Sequence, residues 1–116
     1  SVLTGPFKDS LPGFLQTTAK IDVAYIDGHH EELATLSYFE MILPYLSEQA
    51  VVIFDDIYWS QGMENAWKIV CQHKSVSATI DCFDIGIVFM RPGLTKENII
   101  YIPYHFKPWK IGLFGR

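Results

Sequence analysis

The sequence has few charged residues, few cysteines and no long apolar run. Charged residues make up 19% of the 116 positions, whereas hydrophobic residues make up 49% and aromatic residues 15%. A chain so rich in apolar side chains can bury a core, which excludes an intrinsically disordered protein. No run reaches the roughly 18 apolar residues that a membrane-spanning helix needs. We therefore expect one folded domain that does not enter a membrane, because this length is too short for two ordinary domains.

The cysteines also limit the class of protein. Cys71 and Cys82 lie 11 positions apart, without the spacing of a zinc site. Both fall in apolar segments, so we expect buried thiols, although the spacing also permits a single disulfide. The N-terminus shows no basic stretch followed by an apolar one, which a secretory leader would have. Together these features predict a cytoplasmic protein.

The net charge of −4 is unevenly distributed along the chain. Residues 1–93 carry twelve acidic and five basic side chains, a balance of −7, whereas residues 94–116 carry one acidic and four basic, a balance of +3. An acidic body disfavours a nucleic-acid backbone as a partner. The tail mixes basic with aromatic residues, as some RNA-binding segments do. Its charges are sparse, so we instead expect the tail to pack its aromatic side chains on the body or on a neighbouring subunit.

Two short apolar segments predict parallel strands. Residues 21–26 and 50–54 are continuous, largely β-branched runs, the pattern of strands buried on both faces of a parallel sheet. Between them, residues 31–43 carry leucines and Phe39 at helical spacing, and Pro44 ends the pattern. Strand, helix and strand in this order predict a βαβ unit with a right-handed crossover.

A helix and a hairpin are predicted after the second strand. Residues 63–71 place apolar side chains at i, i+3, i+4, i+7 and i+8, on one helical face, and Ser60 precedes them as a plausible N-cap. Residues 76–83 and 85–90 are rich in β-formers and are separated only by a tight acidic step around Asp84. Strands this close cannot enclose a crossover helix, so they predict an antiparallel hairpin.

The N-terminal segment carries weaker signals. Residues 2–3 could be the remnant of a strand. Asp9 could cap a short helix carrying Leu11, Phe14 and Leu15, with Pro12 in its first turn. No internal repeat or low-complexity linker interrupts the chain, which is consistent with a single α/β unit.

Acidic residues end both predicted parallel strands. Asp27 ends the first, and Asp55 and Asp56 end the second. Ligands of an open α/β sheet bind beyond the carboxyl ends of its strands. Three carboxylates that converge there would repel one another, and a hard divalent cation such as Mg²⁺ would relieve the repulsion. Any one of them alone is more simply a helix cap or a solvated side chain, but the group favours a metal site.

Two histidines and two aromatic residues lie beside these carboxylates. His30 comes three positions after Asp27, so it could face the same pocket and accept a hydroxyl proton, although the roles of ligand and helix-start residue are also open to it. His29 is more simply structural. Tyr58 and Trp59 follow the acidic pair and could line a substrate pocket, or equally lie in the core or an interface.

These segments resemble class I S-adenosylmethionine-dependent methyltransferases. Residues 22–30 (DVAYIDGHH) resemble the "D-hydrophobic-hydrophobic-(F/Y)-I-D-G-x-H" segment of small-molecule O-methyltransferases. Residues 51–57 (VVIFDDI) resemble the later hydrophobic strand with its acidic pair. The spacing between the two segments agrees with the family, as does the helix that follows.

The resemblance covers about residues 1–92 and only the latter half of the family's fold. Residues 4–5 and 11–12 are similar to the family's "G-D-x-x-x-x-L-P" stretch, but Pro6 stands where an acidic residue near the adenine is usual. The likeness is closest to the metal-dependent branch that includes macrocin-type sugar O-methyltransferases. It implies a partial Rossmann-like methyltransferase sheet, with strands in the family order 4-5-7-6, over residues 1–93, and a separate tail over residues 94–116.

The resemblance also implies the chemistry of the site. In this branch the equivalents of Asp27, Asp55 and Asp56 hold Mg²⁺ or a similar divalent cation. The equivalent of His30 takes the proton from a hydroxyl group of a small-molecule substrate. Asp27 and Gly28 would lie beside the cofactor, S-adenosylmethionine. The implied reaction is in-line transfer of the sulfonium methyl group to an oxygen.

One feature of the family has no counterpart in these residues. The family binds its cofactor at a glycine-rich turn after its first strand, whereas no GxGxG occurs here. The three strands that would surround this turn are also missing, which should leave strand 4 as an open edge. We therefore expect the chain alone to be inactive and a second copy to cover the edge in a homo-oligomer.

Three other classes of protein compete with an active methyltransferase. A non-catalytic remnant or oligomerisation fragment of the same fold would keep the acidic cluster as structure, and this is the main alternative. A receiver domain would place its acidic pair early and a lysine later, which this order does not match. A metal-dependent hydrolase would spread more His and Asp ligands along the chain. The sequence does not select the methyl acceptor.

Overall fold

The computed structural model describes residues 2–27 and 30–101, and these form a layer of helices on a mixed sheet. The helices are α1 (Phe7–Thr17), α2 (Glu32–Ile42) and α3 (Gln61–Gln72), with a 3₁₀ turn at Leu43–Tyr45. The strands are β1 (Ile21–Ile26), β2 (Leu46–Asp55), β3 (Ala78–Asp81), β4 (Ile85–Phe89) and β5 (Glu97–Ile100).

The strands lie side by side in the order β1-β2-β4-β3-β5. β1 runs parallel to β2, β4 runs antiparallel to both β2 and β3, and β5 runs parallel to β3. The first four strands reproduce the predicted order 4-5-7-6, with the βαβ unit and the antiparallel hairpin. The predicted fold class, α/β with part of a Rossmann-like sheet, is confirmed.

The strand directions place four strand ends together. Because β1, β2, β3 and β5 all point the same way, their last residues lie at one end of the sheet, which we call the carboxyl end. The turn between β3 and β4, residues 82–84, lies there as well. The carboxyl end therefore gathers Asp27, Asp55, Asp56, Asp81 and Asp84.

The core lies between the helices and one face of the sheet. Side chains of all three helices meet those of the central strands in one cluster, which includes Leu15, Phe39, Phe54, Trp67 and Val88. Burial along β2 alternates instead of being continuous, as expected when only one face of a sheet is covered. The prediction of burial on both faces is therefore wrong for the described residues.

The N-terminal predictions are also corrected by the structure. α1 begins at Phe7, and the carbonyl of Pro6 accepts the backbone N–H groups of Asp9 and Ser10. Asp9 therefore lies in the first turn of α1 and does not cap it. Pro12 lies inside the helix, since α1 begins earlier than the acidic residue suggested. Residues 2–3 form no strand.

Two parts of the sheet were not predicted. β2 begins at Leu46, four residues early, because Ser47, Glu48 and Gln49 extend the strand despite their polarity. β5 is exposed at all four positions and pairs with β3 through backbone hydrogen bonds, so its sequence carries no burial pattern. The described part of the tail thus joins the sheet. Residues 102–116 lie outside the described residues, and the packing of their aromatic side chains stays a prediction.

The remaining local predictions concern a helix cap and the thiols. Ser60 precedes α3, and its hydroxyl accepts the backbone N–H of Met63 at 3.2 Å, which confirms the N-cap. Cys71 and Cys82 are both free thiols and part-buried, and burial raises the pKa of each. None of the helices in residues 2–27 and 30–101 has the length and apolar character to cross a membrane.

Candidate functional site

Three of the predicted site residues come together at the carboxyl end of the sheet. Asp27 follows β1, His30 precedes α2 and Asp56 follows β2. One possible ligand atom from each side chain lies within 4.8 Å of the other two. We call these three residues the acidic group. Its two carboxylates fit a divalent cation such as Mg²⁺ or Mn²⁺, and the imidazole can either join them as a ligand or act as a base.

The imidazole of His30 is oriented by two neighbours. Its Nδ1 lies 3.5 Å from Oδ2 of Asp56, and both side chains are a little over one-third exposed. Its ring lies against the indole of Trp59, with ring centroids 5.3 Å apart. With Nδ1 directed at a carboxylate, Nε2 is the ring nitrogen that can accept a proton from a substrate.

Asp55, which the sequence suggested as a third metal ligand, points elsewhere. Its carboxylate accepts the backbone N–H of Asp56 at 3.0 Å and the hydroxyl of Tyr25. The hydrogen bond between Tyr25 and Asp55, together with the nearby acidic side chains, raises the pKa of Tyr25 to about 12. Asp55 and Tyr25 share one face of the sheet, as the pairing of Tyr25 with Ile53 requires. Asp55 is thus outside the acidic group.

A left-handed backbone conformation separates the two adjacent aspartates. Asp56 has φ 51°, so its side chain does not continue the alternating side-chain directions of β2. Its carboxylate instead lies towards His30. His30 has φ 43° and Phe83 has φ 75°. Each such residue costs on the order of 1 kcal/mol or more, most for a bulky side chain such as phenylalanine. Among the described residues other than glycine, these are the ones with positive φ, and all three lie at the carboxyl end.

The role of a buried carboxylate at this end was missed by the sequence analysis. Asp81 is only 7% exposed and accepts hydrogen bonds from the Tyr58 hydroxyl, the Trp67 indole at 3.3 Å and the backbone N–H of Phe83 at 2.9 Å. Burial and the hydrogen bond to Asp81 raise the pKa of Tyr58 above its usual range. An acidic residue within an apolar strand was the available signal, but its donors are distant in sequence.

Tyr58 and Trp59 line a cavity, and their suggested place in a substrate pocket stays a prediction. The cavity has a volume of about 300 Å³ and is also lined by Asp56, Phe83 and Asp84. Asp56 belongs both to the acidic group and to this lining. The cavity and the candidate metal site are therefore adjacent. Gly28, predicted to contact the cofactor together with Asp27, lies outside the described residues, so that contact stays a prediction.

The comparisons with known proteins bear on the same segment. Residues 1–57 match the family model described as a methyltransferase domain. The match covers just under half of the 116 residues and runs from α1 through β2 to the acidic pair. It thus includes every residue of the acidic group. No curated protein and no solved structure matches the chain.

Proposed function

We propose that this chain carries the acceptor side of an S-adenosylmethionine-dependent methyltransferase. The enzyme would transfer a methyl group to a hydroxyl oxygen of a small molecule with the help of a divalent cation. One observation carries the proposal: the segment similar to a methyltransferase domain contributes all three residues of the acidic group. The group lies at the carboxyl end of the sheet, where α/β proteins bind their ligands.

The proposed roles follow from the contacts of each side chain. Asp27 and Asp56 hold the cation, and His30 accepts the acceptor's hydroxyl proton at Nε2 while Asp56 holds Nδ1. When bound, S-adenosylmethionine supplies the electrophilic methyl group and the cation lowers the pKa of the acceptor hydroxyl. Trp59 fixes the plane of the imidazole by its ring contact. The protein's contribution is thus to orient the acceptor and to remove its proton.

Asp55 has a different proposed role from the other two aspartates. In the structure its carboxylate is engaged by Tyr25 and by the backbone of Asp56. It therefore fixes the turn that aims Asp56 at the acidic group. It would act as a third ligand only after the Tyr25 hydroxyl has moved away.

The glycine-rich part of the cofactor site has no counterpart among the described residues. They contain no glycine-rich turn of the GxGxG type, and neither does the rest of the sequence. We propose that residues outside these 116 supply it.

Cofactor binding tests the proposal directly. S-Adenosylmethionine is titrated calorimetrically into the protein expressed with its natural flanking sequence, with and without Mg²⁺ or Mn²⁺. We expect saturable cofactor binding, and methyl transfer to hydroxyl compounds that requires the cation. Asp56→Asn should reduce that transfer by at least about 100-fold and leave cofactor binding within about 3-fold, since it removes a charge from the acidic group.

Asp22→Asn is the matched control for this test. Asp22 is an exposed aspartate near the start of β1, at the other end of the sheet, where its carboxylate accepts the Ser47 hydroxyl. It should leave both measurements unchanged. A protein that binds neither cofactor nor cation would contradict the proposal and would favour a non-catalytic form of the fold.

We further propose that the 116-residue chain by itself forms a homo-oligomer through β1, at the edge that the segments carrying the glycine-rich turn would otherwise cover. In the described sheet β1 is an end strand with one side unpaired. Two of its exposed side chains are large and apolar: Val23 is 64% exposed and Tyr25 is 56% exposed. A cleft of about 330 Å³ runs along the strand between Val23, Ile26 and the α1 residue Phe14. Open, apolar strand edges are usually covered, and a second copy is the occupant that needs no other protein.

A further inference from the structure

The cavity beside the acidic group has an unusual combination of walls. Its volume is about 300 Å³, and its lining consists of Asp56, Tyr58, Trp59, Phe83 and Asp84. We call it the aromatic–acidic pocket. Three aromatic rings and two carboxylates line it, and no basic side chain belongs to this set. The lining residues therefore combine negative charge with aromatic side chains.

Two of the aromatic walls are held in place before any ligand binds. The Tyr58 hydroxyl donates a hydrogen bond to the buried carboxylate of Asp81, and this bond fixes the position of the Tyr58 ring. The same carboxylate accepts the backbone N–H of Phe83, and the two rings lie with centroids 6.0 Å apart. Because the Tyr58 ring is held by its hydrogen bond and the Phe83 ring packs against it, a ligand has to offset less of the entropy cost of ordering these two rings.

The third wall connects the pocket to the acidic group. Trp59 is 69% exposed and contacts the imidazole of His30. A ligand that covers this indole would gain free energy by burying its apolar surface. Asp56 faces both the pocket and the acidic group. A ligand in the pocket therefore lies next to His30.

The chemistry of the lining selects the charge of its ligand. Aromatic faces attract cations, most strongly for tryptophan, and carboxylates add a Coulomb attraction. An anion would be repelled by the two carboxylates, and a neutral compound would lack the Coulomb attraction that a cation gains from them. We propose that the aromatic–acidic pocket binds the ammonium group of an organic cation. The further identification of this cation with the methyl acceptor, as an amine that also carries a hydroxyl group, rests on the proposed function.

Choline and its uncharged isostere 3,3-dimethylbutan-1-ol test the pocket. Each is titrated into the 116-residue chain without metal or cofactor, and binding is followed by calorimetry and by NMR shifts of the pocket residues. We expect choline to bind at least about 10-fold more tightly than the isostere, and the difference to shrink at high salt.

Two variants locate the binding. Asp84→Asn removes the pocket carboxylate that is not in the acidic group, and Trp59→Ala removes the exposed indole; each should weaken choline binding by at least about 5-fold. Trp59→Phe keeps a ring and should retain most of the affinity. Asp22→Asn is the matched control and should bind as the unchanged chain does. Both altered side chains are exposed, so the variants should keep the far-ultraviolet circular dichroism of the fold.

Equal affinity for choline and the isostere would overturn the proposal, as would the absence of saturable choline binding. Unchanged affinity in both Asp84→Asn and Trp59→Ala would overturn it as well. Because no metal or cofactor is present, these outcomes say nothing against methyl transfer. Conversely, a protein that fails to bind S-adenosylmethionine can still bind choline more tightly than the isostere. Failure of the proposed methyl transfer and failure of the proposed cation pocket are therefore distinguishable.

Discussion

The aspartates at the carboxyl end of the sheet differ in what each side chain contacts. Asp27 and Asp56 face His30, Asp55 faces Tyr25, and Asp81 is buried among three donors. Spacing in the sequence brought the first three to the same end of the sheet but did not separate their roles. The different contacts of Asp55 and Asp56 depend on the left-handed backbone of Asp56. An aspartate tolerates this conformation, but the neighbouring residues in the sequence do not predict it.

Only some of the residues that form and support the aromatic–acidic pocket could be predicted from the sequence. Tyr58 and Trp59 were candidates because they follow the acidic pair. Asp81 and Phe83 were not, since they reach the pocket only through the hairpin between β3 and β4. A contact between residues more than 20 positions apart needs the pairing of the strands, which apolar patterns alone predict only in outline.

A prediction at the scale of single residues concerns Cys71. Burial disfavours its thiolate and raises its pKa above the ordinary value of 9.0. In the variant Cys82→Ser, which isolates Cys71, the rate of alkylation by iodoacetamide should therefore reach half its limiting value only above pH 9. In urea the midpoint should return to the ordinary value. A midpoint in the native protein below pH 9 would contradict the burial described here.

At the scale of elements, the helices were predicted well where an apolar stripe or a cap marks them. Ser60 and the apolar face of α3 located that helix, and the βαβ unit followed from its two apolar strands. β5 and the first part of β2 could not be located, because backbone pairing stabilises them while their side chains stay polar or exposed. The expectation of burial on both faces failed for a related reason: a continuous apolar run does not show which face a helix covers.

The packing of α3 on β4 gives a prediction at this scale. A Cβ atom on Gly86 would lie 2.5 Å from the ring of Trp67. That ring is buried, and its indole nitrogen donates to Asp81, so it cannot shift at low cost. Gly86→Ala should therefore lower the free energy of unfolding by about 1–3 kcal/mol, measured by urea denaturation.

Replacing glycine by alanine at position 13 should raise the free energy of unfolding instead of lowering it. Gly13 lies within α1, and a Cβ atom there would meet no heavy atom within 4 Å. This variant should gain about 0.5–1 kcal/mol, because alanine is the better helix former. If Gly86→Ala were as stable as Gly13→Ala, the close contact between Trp67 and β4 would be wrong.

At the scale of the whole molecule, β1 and β5 are the end strands of the sheet that the described residues form. β1 is apolar and lies along a cleft, and it is the strand that we propose to be covered by a second copy. β5 is the other end strand and is exposed throughout. Pairing through β1 would also bring two acidic groups into one assembly.

Light scattering after gel filtration tests this pairing. The unchanged chain should show twice its monomer mass of 13.3 kDa or a higher multiple. Val23→Lys places a charge on the β1 face and should shift the protein to the monomer mass, because an unpaired charge is costly to bury. Ile100→Lys, on β5, is the matched control and should leave the assembly intact. A monomer for the unchanged chain would contradict pairing through β1.

We propose that the carboxyl end of this sheet is a single ligand site built on Asp27, His30 and Asp56. Titration with Mn²⁺, followed by paramagnetic broadening of backbone NMR signals, tests it most directly. We expect saturable broadening that is strongest at residues 27, 30 and 56. Asp56→Asn should weaken Mn²⁺ binding by at least about 10-fold, whereas Asp22→Asn should change it little. Diffuse broadening over all the acidic residues of the chain, unaffected by Asp56→Asn, would contradict it.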